Sequence, residues 1–396
     1  MRIRSCGRPG SPRRLLVVGG VVGLLTTVSL LGAAPSGLAW ASQSVSCKAG
    51  ANGLIAAINS ANGHGGGTIS LTRGCTYQLS GADNTNPVTG ANGLPVITSR
   101  IEINGKDTTI AGDGSARIFQ VDAPHGNLTL NGLELTGGFN TFAGGAIFNN
   151  EGTLTVNWSL VTDNAAPAGG GIASGTNSPG PAGTTTLNNS KVSDNTAFGA
   201  GGGGILNHAG TLTLNNSSVV GNSGPGGGGI ASGKGNPDNG GSLIVLNRSL
   251  VAHNSATGGS EGGGGGIANG GELVSYLSVI AHNTAPGGAG AGLLNHGDSA
   301  TLNWTTVIGN TAPNDGVDDG FGGGIANVNF GLPSTPSVAL TLNHSLVTGN
   351  SASGGGGGII NADDGGPATV ALNHTLVFRN APDNCEPPGS IAGCTG

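Results

Sequence analysis

The sequence repeats one pattern eight times between Leu154 and Asn380, and this repetition limits the possible folds more than any other feature. Each copy alternates apolar and polar residues, reaches Asn, a hydroxyl residue, Val or Ile and a second Asn, and closes with glycines and Ile or Leu. The first copy reads TLTVNWSLVTDN at 153–164 and GGGIAS at 169–174. A constant core with variable spacers is typical of a solenoid. The second asparagines are Asn164, Asn195, Asn222, Asn254, Asn283, Asn310, Asn350 and Asn380.

The apolar periodicity indicates strands rather than helices. Leu212 and Leu214 alternate with threonines, which is the period of a strand with one buried face. Glycine runs such as 201–204 disfavour helix, because each glycine costs about 1 kcal/mol relative to Ala. About three short strands per repeat, stacked on equivalent strands roughly 4.8 Å away, predict a parallel β-helix.

Three columns of apolar residues are predicted to point into this β-helix. The first is Leu154, Leu212, Leu273, Leu340 and Val370; the second is Val161, Val192, Val219, Val251, Val279, Val307, Val347 and Val377; the third is Ile172, Ile205, Ile230, Ile267, Leu293, Ile325 and Ile359.

The asparagines and glycines are predicted to form the corners. A corner leaves backbone groups unpaired, and stacked Asn side chains can bond to each other and to that backbone. Glycine supplies the positive φ angles. Asn-x-Ser/Thr sequons recur at one corner, so we interpret them as structural rather than as glycan acceptors; among them are Asn157, Asn188, Asn215, Asn303, Asn343 and Asn373.

The N-terminus has the features of a cleaved signal peptide, residues 1–41. Five arginines precede an apolar run from Leu15 to about Ala34, and Ala39-Trp40-Ala41 offers a small-x-small cleavage site. The run is also long enough for an uncleaved anchor, although its Thr, Ser and Gly residues weaken that interpretation. The pair Arg13-Arg14 leaves both general secretion and twin-arginine export open.

Cleavage would leave 9 basic and 20 acidic residues, a formal net charge of −11. Nucleic-acid binding is improbable at that charge, and no second apolar segment predicts a membrane span in the mature chain. Four cysteines would remain, and an even number in an exported protein favours disulfides over metal ligation. Three pairings are possible; proximity in sequence favours Cys47–Cys75 and Cys385–Cys394, one at each end of the solenoid.

The regions flanking the repeats are predicted to close the two ends. Residues 42–126 form an N-terminal cap and the first coils, with a short helix at 54–62 capped by Asn52. Residues 127–380 carry the β-helix repeats, and 381–396 form a C-terminal cap. Caps are expected because an open solenoid end is an exposed sheet edge. The long spacers at 174–183, 233–241, 311–320 and 328–337 are predicted loops.

Short signatures within the repeats carry a resemblance to known proteins. GGAI at 144–147, GGGI at 169–172 and corner sequences such as VTDN are similar to the GGAI and FxxN signatures of polymorphic outer-membrane protein repeats, with Val in place of Phe. Most of residues 45–380 resembles β-helix proteins of the pectate-lyase-like class. The resemblance implies an all-β, right-handed, single-stranded parallel β-helix with a short N-terminal cap helix.

That class includes polysaccharide lyases and hydrolases, so the resemblance also implies a possible catalytic site. The GHG sequence at 63–65 and the Asp pair at 318–319 stand in the wrong order for a polygalacturonase-like hydrolase, and no RxK occurs. Asp163 and Asp194 are weak catalytic candidates, because equivalent positions of adjacent coils lie about 5 Å apart, as in retaining glycosidases. The same column continues through glycine and histidine, so a solvated turn is the alternative. No metal or cofactor is expected.

A second variable column is the better candidate for binding. It contains Trp158, Asn189, Asn216, Arg248, Leu277, Trp304, His344 and His374. Trp304, His344 and His374 lie on three successive coils, and with Trp158 they are the predicted glycan-binding residues; a turn that accepts any residue is the alternative. The sequence predicts an extracellular or cell-surface β-helix protein with a structural, adhesive or glycan-binding role. A secreted polysaccharide lyase or glycoside hydrolase is the second possibility.

Overall fold

The computed structural model describes residues 41–175, 182–199, 201–233, 241–259, 263–331 and 337–395. These residues form a parallel β-solenoid, which confirms the predicted fold class. Nearly all of the predicted signal peptide and parts of three predicted spacer loops lie outside the described residues. Each repeat contributes a strand to a first face, a second face and a third face, and six of the repeats have a two-residue strand between the second and third.

The strands of the first face begin each coil. They are β1 Ala41–Val45, β2 Gly66–Leu71, β6 Arg100–Ala111, β8 Asn127–Thr136, β10 Thr153–Asn157, β14 Thr184–Asn188, β18 Gly210–Asn215, β22 Ser242–Asn247, β26 Glu272–Tyr276, β29 Ser299–Asn303, β33 Val338–Asn343 and β37 Ala368–Asn373.

The second face follows across a tight corner, except that β6 and β8 continue through it. Its other strands are β3 Thr76–Gln78, β11 Leu160–Thr162, β15 Lys191–Ser193, β19 Ser218–Val220, β23 Leu250–Ala252, β27 Val279–Ala281, β30 Thr306–Ile308, β34 Leu346–Thr348 and β38 Leu376–Phe378.

The remaining strands complete the coils. Two-residue strands are β12 Ala165–Ala166, β16 Thr196–Ala197, β20 Ser223–Gly224, β24 Ser255–Ala256, β31 Thr311–Ala312 and β35 Ser351–Ala352. The third face contains β7 Phe119–Asp122, β9 Ile147–Asn150, β13 Ile172–Ser174, β17 Ile205–Asn207, β21 Ile230–Ser232, β25 Ile267–Asn269, β28 Leu293–Asn295, β32 Ile325–Val328, β36 Ile359–Ala362 and β39 Cys385–Glu386.

The register of neighbouring coils places the predicted apolar residues in continuous inward columns. In the first face the column runs Leu154, Thr185, Leu212, Ile244, Leu273, Ala300, Leu340 and Val370. The second-face prediction is wrong at one position: Ile280 is fully buried and pairs with Val251 and Val307, whereas Val279 is 36% exposed. Counting back from buried Asn283 places Ile280, not Val279, at the position of Val161.

An N-terminal helix closes one end of the core, as predicted, but it starts earlier than the apolar pattern indicated. A 3-10 turn, Cys47–Ala49, leads directly into α1, Gly50–Gly63. Ser46 caps this turn by accepting a hydrogen bond from the Ala49 N–H, so Asn52 is not the cap and that prediction is wrong. Leu54, Ala57, Ile58 and Ala61 of α1 are buried against the core.

An antiparallel hairpin next to the cap was not predicted. It consists of β4, Asn84–Asn86, and β5, Gly90–Asn92. The fully buried Arg117 anchors it: the guanidinium donates to Asn92 Oδ1 at 2.8 Å and to the Thr89 carbonyl at 2.7 Å. Burial lowers the pKa of Arg117 to about 9, so the group remains charged at neutral pH among uncharged acceptors.

The two predicted disulfides, Cys47–Cys75 and Cys385–Cys394, are both present, one near each end of the solenoid. In the described part of the chain, no helix has the length and hydropathy needed to cross a membrane.

Candidate functional site

The corner between the first and second faces is built from one repeated three-residue unit. In the unit Asn157-Trp158-Ser159, Asn157 Nδ2 donates to Asn131 Oδ1 of the preceding coil at 2.7 Å. Ser159 Oγ donates to the Asn157 carbonyl and accepts from the Leu133 N–H. The flanking residues therefore fix the backbone, and the middle side chain projects outward.

Asparagine amides continue this pattern along the corner. Asn188, Asn215 and Asn247 each donate to the Asn one coil earlier at 2.8–2.9 Å, and Asn343 and Asn373 do the same further on. Tyr276 interrupts the ladder. Because the sequon amides are occupied in this way, the structural interpretation of the sequons agrees with the geometry.

The middle residue of each corner unit has a left-handed backbone conformation. The φ angles lie between 48° and 52° for Trp158, Asn189, Asn216, Arg248, Leu277, Trp304, His344 and His374. These are the residues of the predicted binding column, which we call the corner column. Asn tolerates this conformation, but for a bulky residue it costs roughly 1–2 kcal/mol. Trp, Leu and His therefore stand where the local backbone favours Gly or Asn, and such outliers often mark functional positions.

Three rings of the corner column stack on one another. The Trp304 and His344 ring centroids are 4.3 Å apart with an interplanar angle of 6°, and those of His344 and His374 are 4.9 Å apart at 7°. Both faces of the His344 ring are therefore covered. Trp304 has Leu277 one coil earlier, so each position beside it in the column is filled by a large side chain.

Trp158 stands in the same column with a different neighbour. Its indole is 71% exposed, and the residue one coil earlier is Gly132, which also has a positive φ. One coil before Gly132, the residues Gly105, Lys106 and Asp107 bulge out of β6. The absent side chain at Gly132 leaves a slot one coil spacing wide, about 5 Å, between the bulge and the indole. In the ring stack, a ring occupies the equivalent space.

This slot opens into a groove of about 790 Å³ along the corner and the second face. The exposed Lys106 and Lys191 and the half-buried Glu134 line it, together with polar corner residues. Glu134 Oε2 accepts a hydrogen bond from Thr109 at 3.0 Å. Asp107 forms a salt bridge with Arg73, in which Arg73 Nη2 lies 2.8 Å from Asp107 Oδ2. The groove combines one exposed aromatic side chain with groups that can donate to hydroxyl or carboxylate oxygens.

The two catalytic candidates lie at the next corner, after the second face. Asp163 and Asp194 occupy equivalent positions of adjacent coils, both exposed and both with positive φ. Thr162 Oγ1 donates to Asp163 at 3.1 Å, and Asp194 extends toward Gly221. Neither carboxylate lines the groove. The structure thus places the pair together but does not place it beside the binding residues.

The Asn that closes each copy of the repeat forms a buried ladder behind this corner. Asn195 Nδ2 donates to Asn222 Oδ1 at 3.0 Å and also to the Val161 and Ser193 carbonyls. The equivalent bond recurs from Asn164 to Asn380. This ladder fixes the corner independently of the exposed residue before it, which explains why Asp, Gly, His and Arg all occur there.

Two further groups of polar side chains lie outside the groove. His253 and His282 stack with ring centroids 5.2 Å apart, and no set of three or more His, Cys, Asp or Glu side chains in the described residues could hold a metal ion. In the acidic 311–320 segment, hydrogen bonds from the Asp318 and Val317 N–H groups lower the pKa of Asp315. That arrangement is a self-contained turn.

Comparisons with known proteins add little to this geometry. The sequence matches no protein-family profile, and no curated protein was found as a relative. The assignment of the repeats to a particular repeat family therefore stays a prediction. Among solved structures, the chain is similar to the A-module of mannuronan C-5 epimerase AlgE6 of Azotobacter vinelandii. The identity is 14% and the TM-score 0.35, covering 85% of this chain and 93% of that module.

Proposed function

We propose that this protein is an exported, extracellular or cell-surface β-helix protein that binds glycans in the groove beside Trp158. The observation that carries the proposal is the slot at Gly132, which is bordered by an exposed indole. The less polar face of a pyranose ring stacks on an aromatic side chain, and such contacts are worth on the order of 1 kcal/mol. Lys106 and Lys191 supply donors for the hydroxyl or carboxylate groups at the ring edge.

Export is supported by independent features. The arginine-rich, apolar N-terminal segment is typical of a signal peptide. Both disulfides also fit an oxidising compartment, because such links persist mainly in exported proteins.

The test compares the two tryptophans of the corner column. The protein is titrated with soluble neutral polysaccharides (a β-glucan, a mannan) and uronate-containing ones (polygalacturonate, alginate), and binding is measured by calorimetry. Trp158→Ala should weaken binding roughly fivefold, as expected for one lost stacking contact. Trp304→Ala is the matched control, because it has the same backbone conformation but no adjacent empty position.

Three results would count against this site. If no polysaccharide in the panel binds, the glycan-binding role is rejected. If Trp304→Ala weakens binding more than Trp158→Ala, the site moves to the ring stack, where the sequence alone placed it. If new reducing ends or unsaturated products appear, the protein is an enzyme rather than a binding protein.

A further inference from the structure

The last coil of the solenoid has an open edge on its first and second faces. In the described part of the chain, β37 pairs only with β33, and β38 pairs only with β34. The inward side chains of this coil are only partly buried, whereas their counterparts one coil earlier are at most 1% exposed. The partly buried residues are Val370, Leu372 and Val377, and their counterparts are Leu340, Leu342 and Val347.

The C-terminal segment completes this coil on the third face. Its strand β39 pairs there with β36 of the preceding coil, and the Cys385–Cys394 disulfide links the segment, whose Ile391 is buried in the core cluster. The longer strand of this open edge lacks the charges, prolines and bulges that usually protect an edge. Strand β37, with the sequence ATVALN, is uncharged and keeps a continuous register with β33, and Pro367 stands directly before it; β38 is also uncharged but has only three residues.

We propose that this open coil is the contact surface of a homodimer, in which β37 pairs antiparallel with β37 of a second copy. Two open ends can face each other through a twofold axis perpendicular to the first face. That rotation reverses the strand direction but keeps inward side chains on the inner side. Val370 and Leu372 of both copies would then share one core.

The distribution of charge favours a second copy of this chain. Across a twofold axis, residues near the centre contact the same residues of the second copy, so like charges there would repel. Residues 368–378 contain no acidic or basic residue apart from His374. Asp363 is held at the start of β37 by a hydrogen bond from the Ala368 N–H at 2.7 Å, and Asp364 is adjacent. Antiparallel pairing places this acidic start of each strand beside the His374 end of the other.

The twofold arrangement itself explains why pairing would stop at two copies. It uses the open C-terminal edge of both chains, so neither copy has that edge left for a third. A contact confined to one coil is small, which predicts a dissociation constant in the micromolar range. The association should therefore be visible as a concentration-dependent change in mass.

The test is sedimentation equilibrium of the purified protein over a series of concentrations. The unmodified protein should shift from monomer to dimer. Ala371→Lys, an exposed position on β37, should weaken dimerisation at least about tenfold, because two like charges meet at the interface. Thr213→Lys is the matched control in the same outward column in the middle of the solenoid, and it should dimerise normally.

Mixing two variants distinguishes an effect on this interface from a general loss of folding. Ala371→Lys and Ala371→Glu, each weakened in self-association, should form a tighter heterodimer when combined, because the charges then attract. A monomer at every concentration would overturn the proposal and leave the edge to a strand from another protein. Equal dimerisation of the Ala371→Lys and Thr213→Lys variants, or growth beyond two copies, would overturn it as well.

Discussion

The apolar core is covered to different extents at the two ends of the solenoid. At the N-terminal end, α1 places Leu54 and Ile58 over the first coils, and both side chains are fully buried. At the C-terminal end, Val377 and Leu372 remain partly exposed, although the terminal segment adds the last third-face strand and buries Ile391. The repeat determines the core but not its closure, because closure depends on the sequences outside the repeat.

The corner column also differs between the two ends. Near the N-terminal end, Trp158 stands beside an empty position at Gly132. Near the C-terminal end, Trp304 is stacked on His344. Two residues with the same backbone conformation thus differ in what their rings can contact, because in a solenoid the residue one coil away is the neighbour.

The largest expected difference concerns the core at each end. Ile58→Asp should lower the free energy of unfolding by at least about 5 kcal/mol, because it buries an unpaired carboxylate. Val377→Asp should cost only about 1 kcal/mol, because its carboxylate can reach water. Urea unfolding followed by circular dichroism at low protein concentration measures both. Equal losses would mean that the C-terminal coil is covered in solution.

The two disulfides should differ less in their contribution to stability, and the N-terminal one should again contribute more. Replacing Cys47 and Cys75 by Ser should cost about 3.5 kcal/mol, and replacing Cys385 and Cys394 about 2.5 kcal/mol. The estimate follows from loop entropy, since the two links span 28 and 9 residues. Thermal unfolding of the two double variants provides the comparison. The reverse order would show that the C-terminal link has a structural role beyond closing a loop.

The smallest effect concerns the two tryptophans. Trp158→Asn should raise the free energy of unfolding by up to about 1 kcal/mol, because Asn tolerates the left-handed conformation and no ring contact is lost. Trp304→Asn should leave stability nearly unchanged, because the lost stacking on His344 offsets that gain by about 1 kcal/mol. Stabilisation by both variants to the same extent would show that the ring stack contributes nothing.

Much of the fold could be predicted from the sequence because equivalent residues of successive repeats occupy equivalent positions in successive coils. Closing asparagines such as Asn195 and Asn222 mark equivalent positions, and their amides bond in that register. The two variable columns were predicted for the same reason. The error at Val279 arose where Tyr276 replaces the ladder Asn and two apolar residues adjoin, so that the apolar pattern alone could not set the register.

The remaining features depend on contacts between segments that no repeat relates. The burial of Arg117 depends on a hairpin outside the repeat, and α1 begins at a turn that Ser46 caps. The slot beside Trp158 exists because a glycine and a bulge lie one and two coils away. The sequence alone therefore predicted the solenoid, its inward columns except at Val279, and the favoured cysteine pairs, since these follow from period and proximity. Only the tertiary structure decided which rings are stacked, which one borders an open groove and which end of the core stays exposed, because each depends on the side chain that the next coil supplies.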